Sequence, residues 1–264
     1  MDSAADKAVI VSEEGGIASL VLNQPDTLNA LTAKMKAGLE REIPRLCSDP
    51  AIRVVLISGK GRAFCAGGDL RNMNDLDPSA TRRRMQANHH WSQLMLESDT
   101  LFVGAIHGAI AGAGFSLALL CDLTVVADTA RFVAGFPGVG AVPDLGIGYT
   151  LARAIGVPRA MDVLMTNRPI TAAEALAAGM VSRVVPEADV LSTATDLAKK
   201  LAAGPQPSLA LTKRLVRGSF DDSLAGFHER EALAQAVAFS SPDMAEGVAA
   251  FLAKRKPVFG GAKG

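Results

Sequence analysis

The chain is poor in the residues that mark metal, nucleic-acid or membrane proteins. Only three cysteines occur in 264 residues, Cys47, Cys65 and Cys121. Their spacing suits no metal site, and two lie in apolar stretches where a thiol acts as a small hydrophobe, so reduced, buried thiols are expected. Aromatic residues make up 5%, with one Trp and one Tyr, which leaves no patch of rings for stacking RNA bases. Lys and Arg together number 27, as do Asp and Glu. With zero formal charge no overall field draws the chain to nucleic acid or a membrane, and any phosphate must be met by local cations. No run approaches the roughly 18 apolar residues of a spanning helix. The start, Met1 to Lys7, is acidic and polar without the apolar core of a secretory signal, so the cytoplasm is the expected compartment.

What is present is a globular chain, 49% hydrophobic and 20% charged, long enough to bury a large core. Ala8 to Val11 and Ile17 to Leu22 flank Glu13 to Gly16, a hairpin signal. Leu31, Met35, Leu39, Ile43 and Leu46 recur at three and four, which predicts an amphipathic helix over 32–46. A strand at 53–58, a helix at 79–97, a strand at 101–106, a helix at 112–120 and a strand at 122–127 follow, an alternation that implies a wound α/β core. Helical segments are expected around 148–155, 158–165, 172–178 and 190–203. After a break at Gly204 to Pro207, helical periodicity continues through 208–217, 224–240 and 242–254, with no strand signal beyond 181–185. The expected organisation is an α/β core over 1–200 and a helical C-terminal module over 201–264.

Two glycine-rich turns carry the chemistry. Ala66-Gly67-Gly68 follows the β-branched run 53–58, and Gly112-Ala113-Gly114 opens an apolar helix. Each exposes backbone N–H groups with no side chain in the way, and the second adds the positive end of a helix. Either alone could be no more than a turn. Together they can supply two donors to a developing oxyanion.

At these residues the chain resembles the crotonase family of enoyl-CoA hydratases and isomerases. The likeness runs from Ile17 to Phe259 through Leu28 to Leu31, Ala63 to Leu70, Gly108 to Asp122, Ala173 to Val181 and Phe251 to Pro257. It implies an α/β fold with a crotonase-like spiral of ββα units and a C-terminal helical trimerisation module, hence a homotrimer or dimer of trimers. It also implies an acyl-CoA substrate, coenzyme A entering with the substrate and no resident cofactor or metal. The oxyanion donors become the amides of Gly68 and Ala113. Coenzyme A would lie beside Leu28, Ala30, Ala66, Gly67, Asp69 and Leu70, with Gly112 close by, and Phe251 and Lys254 resemble the tail that reaches the coenzyme A of a neighbouring subunit. Asp69 can equally cap its helix.

The hydratases of that family use paired glutamates. Here their positions hold Ser116 and Phe136, which makes ordinary hydration doubtful, because polarising water asks for two such groups; Ser116 remains a candidate to position water. Asp144, in Pro143-Asp144-Leu145-Gly146, resembles the acid of the family's isomerases, and one carboxylate suffices for a 1,3-proton shift. Asp ahead of a helix is also a common cap. Two alternatives stand beside isomerisation. In aryl-CoA dehalogenases, or in a thioester hydrolase, Asp144 would act as nucleophile with His89 activating water. The third is a non-catalytic acyl-CoA binder. Adjacent residues on a helix diverge, so at most one of His89 and His90 faces a pocket. His107 reads as a satisfied core group, Trp91 as a packing anchor and Arg82 to Arg84 as a solvated face or a phosphate contact. Phe115, Phe132, Phe136 and Ile147 are candidate pocket lining.

Overall fold

A computed structural model describes residues 7–72 and 77–260; the segment read for a targeting signal lies, up to Asp6, outside the described residues. Strands β1 (Val9–Glu14) and β2 (Ile17–Leu22) form the expected hairpin, turning at Gly15 and Gly16, both at positive φ. Helix α1 (Ala33–Ser48) starts where the Thr32 hydroxyl accepts the Met35 N–H, and it buries Met35, Leu39, Ile43 and Leu46. That is the stripe its periodicity predicts.

From there the chain coils. Strand β3 (Val54–Gly59) leads to β4 (Ala63–Cys65) and helix α2 (Pro78–Glu97), whose first turn is capped by the Asp77 carboxylate. The next circuit is β5 (Leu101–Ile106), β6 (Ala109–Ala111) and α3 (Ala113–Leu120). A third comprises β7 (Leu123–Ala127), β8 (Arg131–Val133), α4 (Ile147–Ile155) and α5 (Val157–Thr166). Then come β9 (Ile170–Thr171), α6 (Ala172–Ala177), β10 (Arg183–Val185) and α7 (Val190–Ala202). Helices α8 (Gln206–Arg217), α9 (Leu224–Phe239) and α10 (Pro242–Leu252) complete the described chain.

Each circuit places one strand in each of two sheets. The larger runs β1-β2-β3-β5-β7-β10, parallel from β2 onward, and the smaller runs β4-β6-β8-β9. This is the spiral of ββα units. All six residues of β5 are buried, because α7 covers β3, β5 and β7, and a parallel strand covered on both faces reads as one apolar run.

The short strands of the smaller sheet were not expected from the sequence, since two or three residues cannot display an alternation. The candidate pocket aromatics also differ from expectation. Phe115 and Phe132 are fully buried with ring centroids 5.1 Å apart, and Ile147 is as deep. They fill the core instead of lining a pocket, because α3 and β8 face each other across it and pack the two rings together. Cys65 and Cys121 are free and buried, with thiols pushed up to about 12 by desolvation. Cys47 is free and half-buried.

The C-terminal helices are joined to the core by a buried ion cluster. Lys213 of α8 donates to the carbonyls of Met95 and Thr100, each at 2.8 Å, and pairs with Asp122 at 2.9 Å. Arg217 reaches the other Asp122 oxygen at 3.1 Å.

Candidate active site

The two glycine turns meet backbone to backbone. Beyond β4, Gly67 takes φ +100°, and the Leu31 N–H donates to its carbonyl at 2.7 Å, so the start of α1 is tied to the turn. A Cβ on Gly67 would lie 2.6 Å from the Ala111 carbonyl oxygen, and one on Gly114 would strike the Cys65 carbonyl. Only glycine permits this approach. Gly112, at φ +51°, is the N-cap of α3 and offers no side chain to its first turn. Among the described residues, neither the Gly68 nor the Ala113 N–H finds an acceptor. Two unused donors at adjoining turns, one at a helix N-terminus, suit an oxyanion.

Asp144 lies in a loop tied to α3 through Ser116, three residues beyond Ala113. Its side chain is half-buried, and Oδ1 is shielded from solvent without a hydrogen-bond donor. The cap of α4 is Gly146, with no side-chain cap, so the capping alternative for Asp144 falls. Ser116 is fully buried and donates its hydroxyl to the Asp144 carbonyl at 3.0 Å. This corrects its placement among substrate- and water-facing groups: it braces the Asp144 loop against α3, because its position on the helix turns it toward that loop. Phe136, 7% exposed, opens the one-turn helix Pro137–Val139 in the same loop.

Charge around Asp144 comes from α1 and α2. Burial pushes the Asp144 pKa above the ordinary carboxylate value; Lys36, its own backbone N–H and His89 oppose this. Lys36, in the first turns of α1, is itself pushed down, by burial and then by Arg84, against the pull of Asp144 and Asp69. His89 and His90 are both exposed on α2, and only His89 is registered by Asp144. Asp69 is engaged by Arg71, accepting from Nε at 2.8 Å and from the backbone N–H at 3.2 Å. Lys36 and Arg84 were missed as members of this group. Lys36 lies next to a core position and Arg84 in an arginine run, and no local signal separates either from a solvated charge.

Of the remaining candidates, Leu28, Ala30, Ala66 and Gly67 are brought together. Ala66 N–H donates to the Leu28 carbonyl at 3.0 Å, and Leu28 holds φ +52°. Leu70 is exposed. Phe251 and Lys254 are exposed at the end of α10, which packs on α9, and no hydrogen bond or ion pair joins them to the turns. His107 Nε2 donates to the Gly61 carbonyl at 2.8 Å and is satisfied there, half-buried and not in the core. A cavity of about 660 Å³ lies elsewhere, at the far end of α3 against α4 and α8. Two charged pairs in its wall, Arg153 with Asp221 and Arg217 with Asp122, are already made, and it lies between core and tail.

Comparison with known proteins gives the family and supports the fold. The profile of the enoyl-CoA hydratase/isomerase family matches residues 12–262. The 1,2-epoxyphenylacetyl-CoA isomerase of Escherichia coli K12 is 36% identical over 253 residues, covering 94% of this chain and 96% of its own. The Mycobacterium tuberculosis protein named "Probable enoyl-CoA hydratase echA8" is 34% identical over 255 residues, 96% and 98% of the two chains. The crystal structure of an enoyl-CoA hydratase from Polaromonas sp. JS666 superposes with a TM-score of 0.90 at 32% identity, covering 95% of this chain and 99% of that one. The chain therefore belongs to the enoyl-CoA hydratase/isomerase family.

Proposed function

We propose that this protein isomerises the double bond of an enoyl-CoA thioester, with Asp144 moving the proton. The thioester oxygen would rest on the Gly68 and Ala113 N–H groups. Asp144 takes a proton from C2, the C–H electrons pass into the thioester oxygen as an enolate, and the same carboxyl returns the proton at C4. The double bond moves from C3 to C2, and no water is consumed. Leu28, Ala30, Ala66, Gly67 and Leu70 would border coenzyme A.

One observation carries the reading: a half-buried carboxylate oxygen without a donor sits in a loop tied to the helix that Ala113 opens, while the positions of the paired glutamates hold a braced Ser116 and an enclosed Phe136. A raised carboxyl pKa suits a group that both accepts and returns a proton.

Turnover of a 3-enoyl-CoA, a 2-enoyl-CoA and 4-chlorobenzoyl-CoA by the wild type and by Asp144→Asn tests this. Isomerisation is expected, with a loss of at least about 10³-fold in the variant. The acid limb of kcat/KM should lie above the ordinary carboxylate range, as burial dictates. Hydration that survives Asp144→Asn refutes the proposal; chloride release with an aspartyl ester transfers the role to the nucleophile. The sign for stability is opposite to that for activity. A raised folded-state pKa means ionised Asp144 disfavours the fold once pH exceeds the ordinary carboxylate value, so the Asn variant should melt higher at neutral pH and lose that advantage in acid.

A further inference from the structure

Helix α2 presents a stripe of polar donors that the fold leaves unused. Arg84, Asn88 and Trp91 succeed one another at spacings of four and three, on one side of the helix. Arg84 Nε and Trp91 Nε1 are shielded from solvent without an acceptor. Asn88, 6% exposed, makes no side-chain hydrogen bond among the described residues. Buried donors are nearly always paired, so a concentration of lone ones calls for an explanation.

Charge points the same way. Lys36 and Arg84 are only partly exposed, adjoin each other across the α1–α2 contact, and enter no ion pair among the described residues. Asp69 is committed to Arg71. Asp144 and Asp69 both pull on Lys36, while Arg84 Nε has no acceptor. Half-buried like charges are costly unless an anion comes between them, and a guanidinium fork matches a carboxylate well. The phosphates of coenzyme A belong to the solvent end of a bound thioester and suit exposed cations such as Arg71 and Lys254. The shielded Nε of Arg84, one turn from the amide of Asn88, suits the enclosed acyl end.

We infer that Lys36, Arg84 and Asn88 form a recognition site for a carboxylate on the acyl group, so that the substrates are acidic acyl-CoA thioesters. This rests on the acyl-CoA reading above, though not on the role of Asp144 as base.

The test uses saturated thioesters, which bind without reacting. Acyl-CoA pairs of four, six and eight carbons, ending in methyl or in carboxylate, are titrated calorimetrically into the wild type, Arg84→Met, Arg84→Lys and Asn88→Leu, with circular dichroism reporting that each variant is folded. At one length the carboxylate-ended member should bind at least about 10-fold tighter. Arg84→Met should erase that preference and Arg84→Lys should recover part of it. Equal binding at every length, or a preference that outlasts both Arg84→Met and Asn88→Leu, overturns the inference. So does an equal weakening of both members by Arg84→Met that vanishes with acyl-pantetheine thioesters, because the cations would then serve coenzyme A phosphates. If no thioester binds, the acyl-CoA reading fails as well. Turnover by Asp144→Asn is read separately, so failure of one idea is distinguishable from failure of the other.

Discussion

Helices α3 and α9 are both rich in apolar residues, yet they meet opposite surroundings. All eight residues of α3 are buried; none of the sixteen in α9 is, and Leu224 and Leu233 are 71% and 61% exposed. The core supplies α3 with walls on every side, which holds its first N–H groups against the Gly67–Gly68 turn. The tail supplies α9 chiefly with α8 and α10. An apolar face of that extent on a lone chain marks a surface that something else covers, and a second copy of this chain is the occupant we propose. Apolar content is thus a shared signal, enclosed by the core in one region and left open in the other.

The contrast is most open to attack by the same kind of change made in each region. Gly114→Ala should have the largest effect: its Cβ would strike the backbone carbonyl of Cys65, which cannot swing aside. Loss of folded protein, or turnover lowered by at least about 10²-fold through displaced oxyanion donors, is expected in expression and rate measurements. Leu233→Asp should act differently, lowering the mass seen by analytical ultracentrifugation while changing the denaturation midpoint of the separated chains little, by roughly 0.5 kcal/mol or less. An unchanged mass would show that α9 is not an association surface. Gly247→Ala in α10 should do least. Its Cβ would meet only the Phe259 ring, at 3.6 Å, and the gain in helix propensity should stabilise the protein by up to about 1 kcal/mol. Destabilisation there would mean that the tail is packed as tightly as the core.

Much of this organisation was legible before any coordinates. The stripe of α1, the β1–β2 hairpin and the strands β3, β5 and β7 follow from periodicity, and both glycine turns follow from residue type. Asp144 was singled out by the likeness of Pro143-Asp144-Leu145-Gly146 to the family's isomerases, and its alternative as a helix cap disappears only once Gly146 is seen to cap α4. The strands β4, β6, β8 and β9 were not legible, being too short to show a period. Nor was the direction of Ser116, which depends on where the Asp144 loop returns to α3. Phe115, Phe132 and Ile147, read as pocket lining, were misplaced because enclosure by core and enclosure by a cleft leave the same mark in a sequence.

By itself the sequence determined which segments could be helix or strand and where the backbone could approach without side chains, because local sterics and hydrophobic spacing act within a few residues. The tertiary structure decided which charges share a space. Lys36, Arg84, His89 and Asp144 come from three separate segments, and the field each feels depends on burial and distance across elements, quantities that no run of neighbouring residues contains.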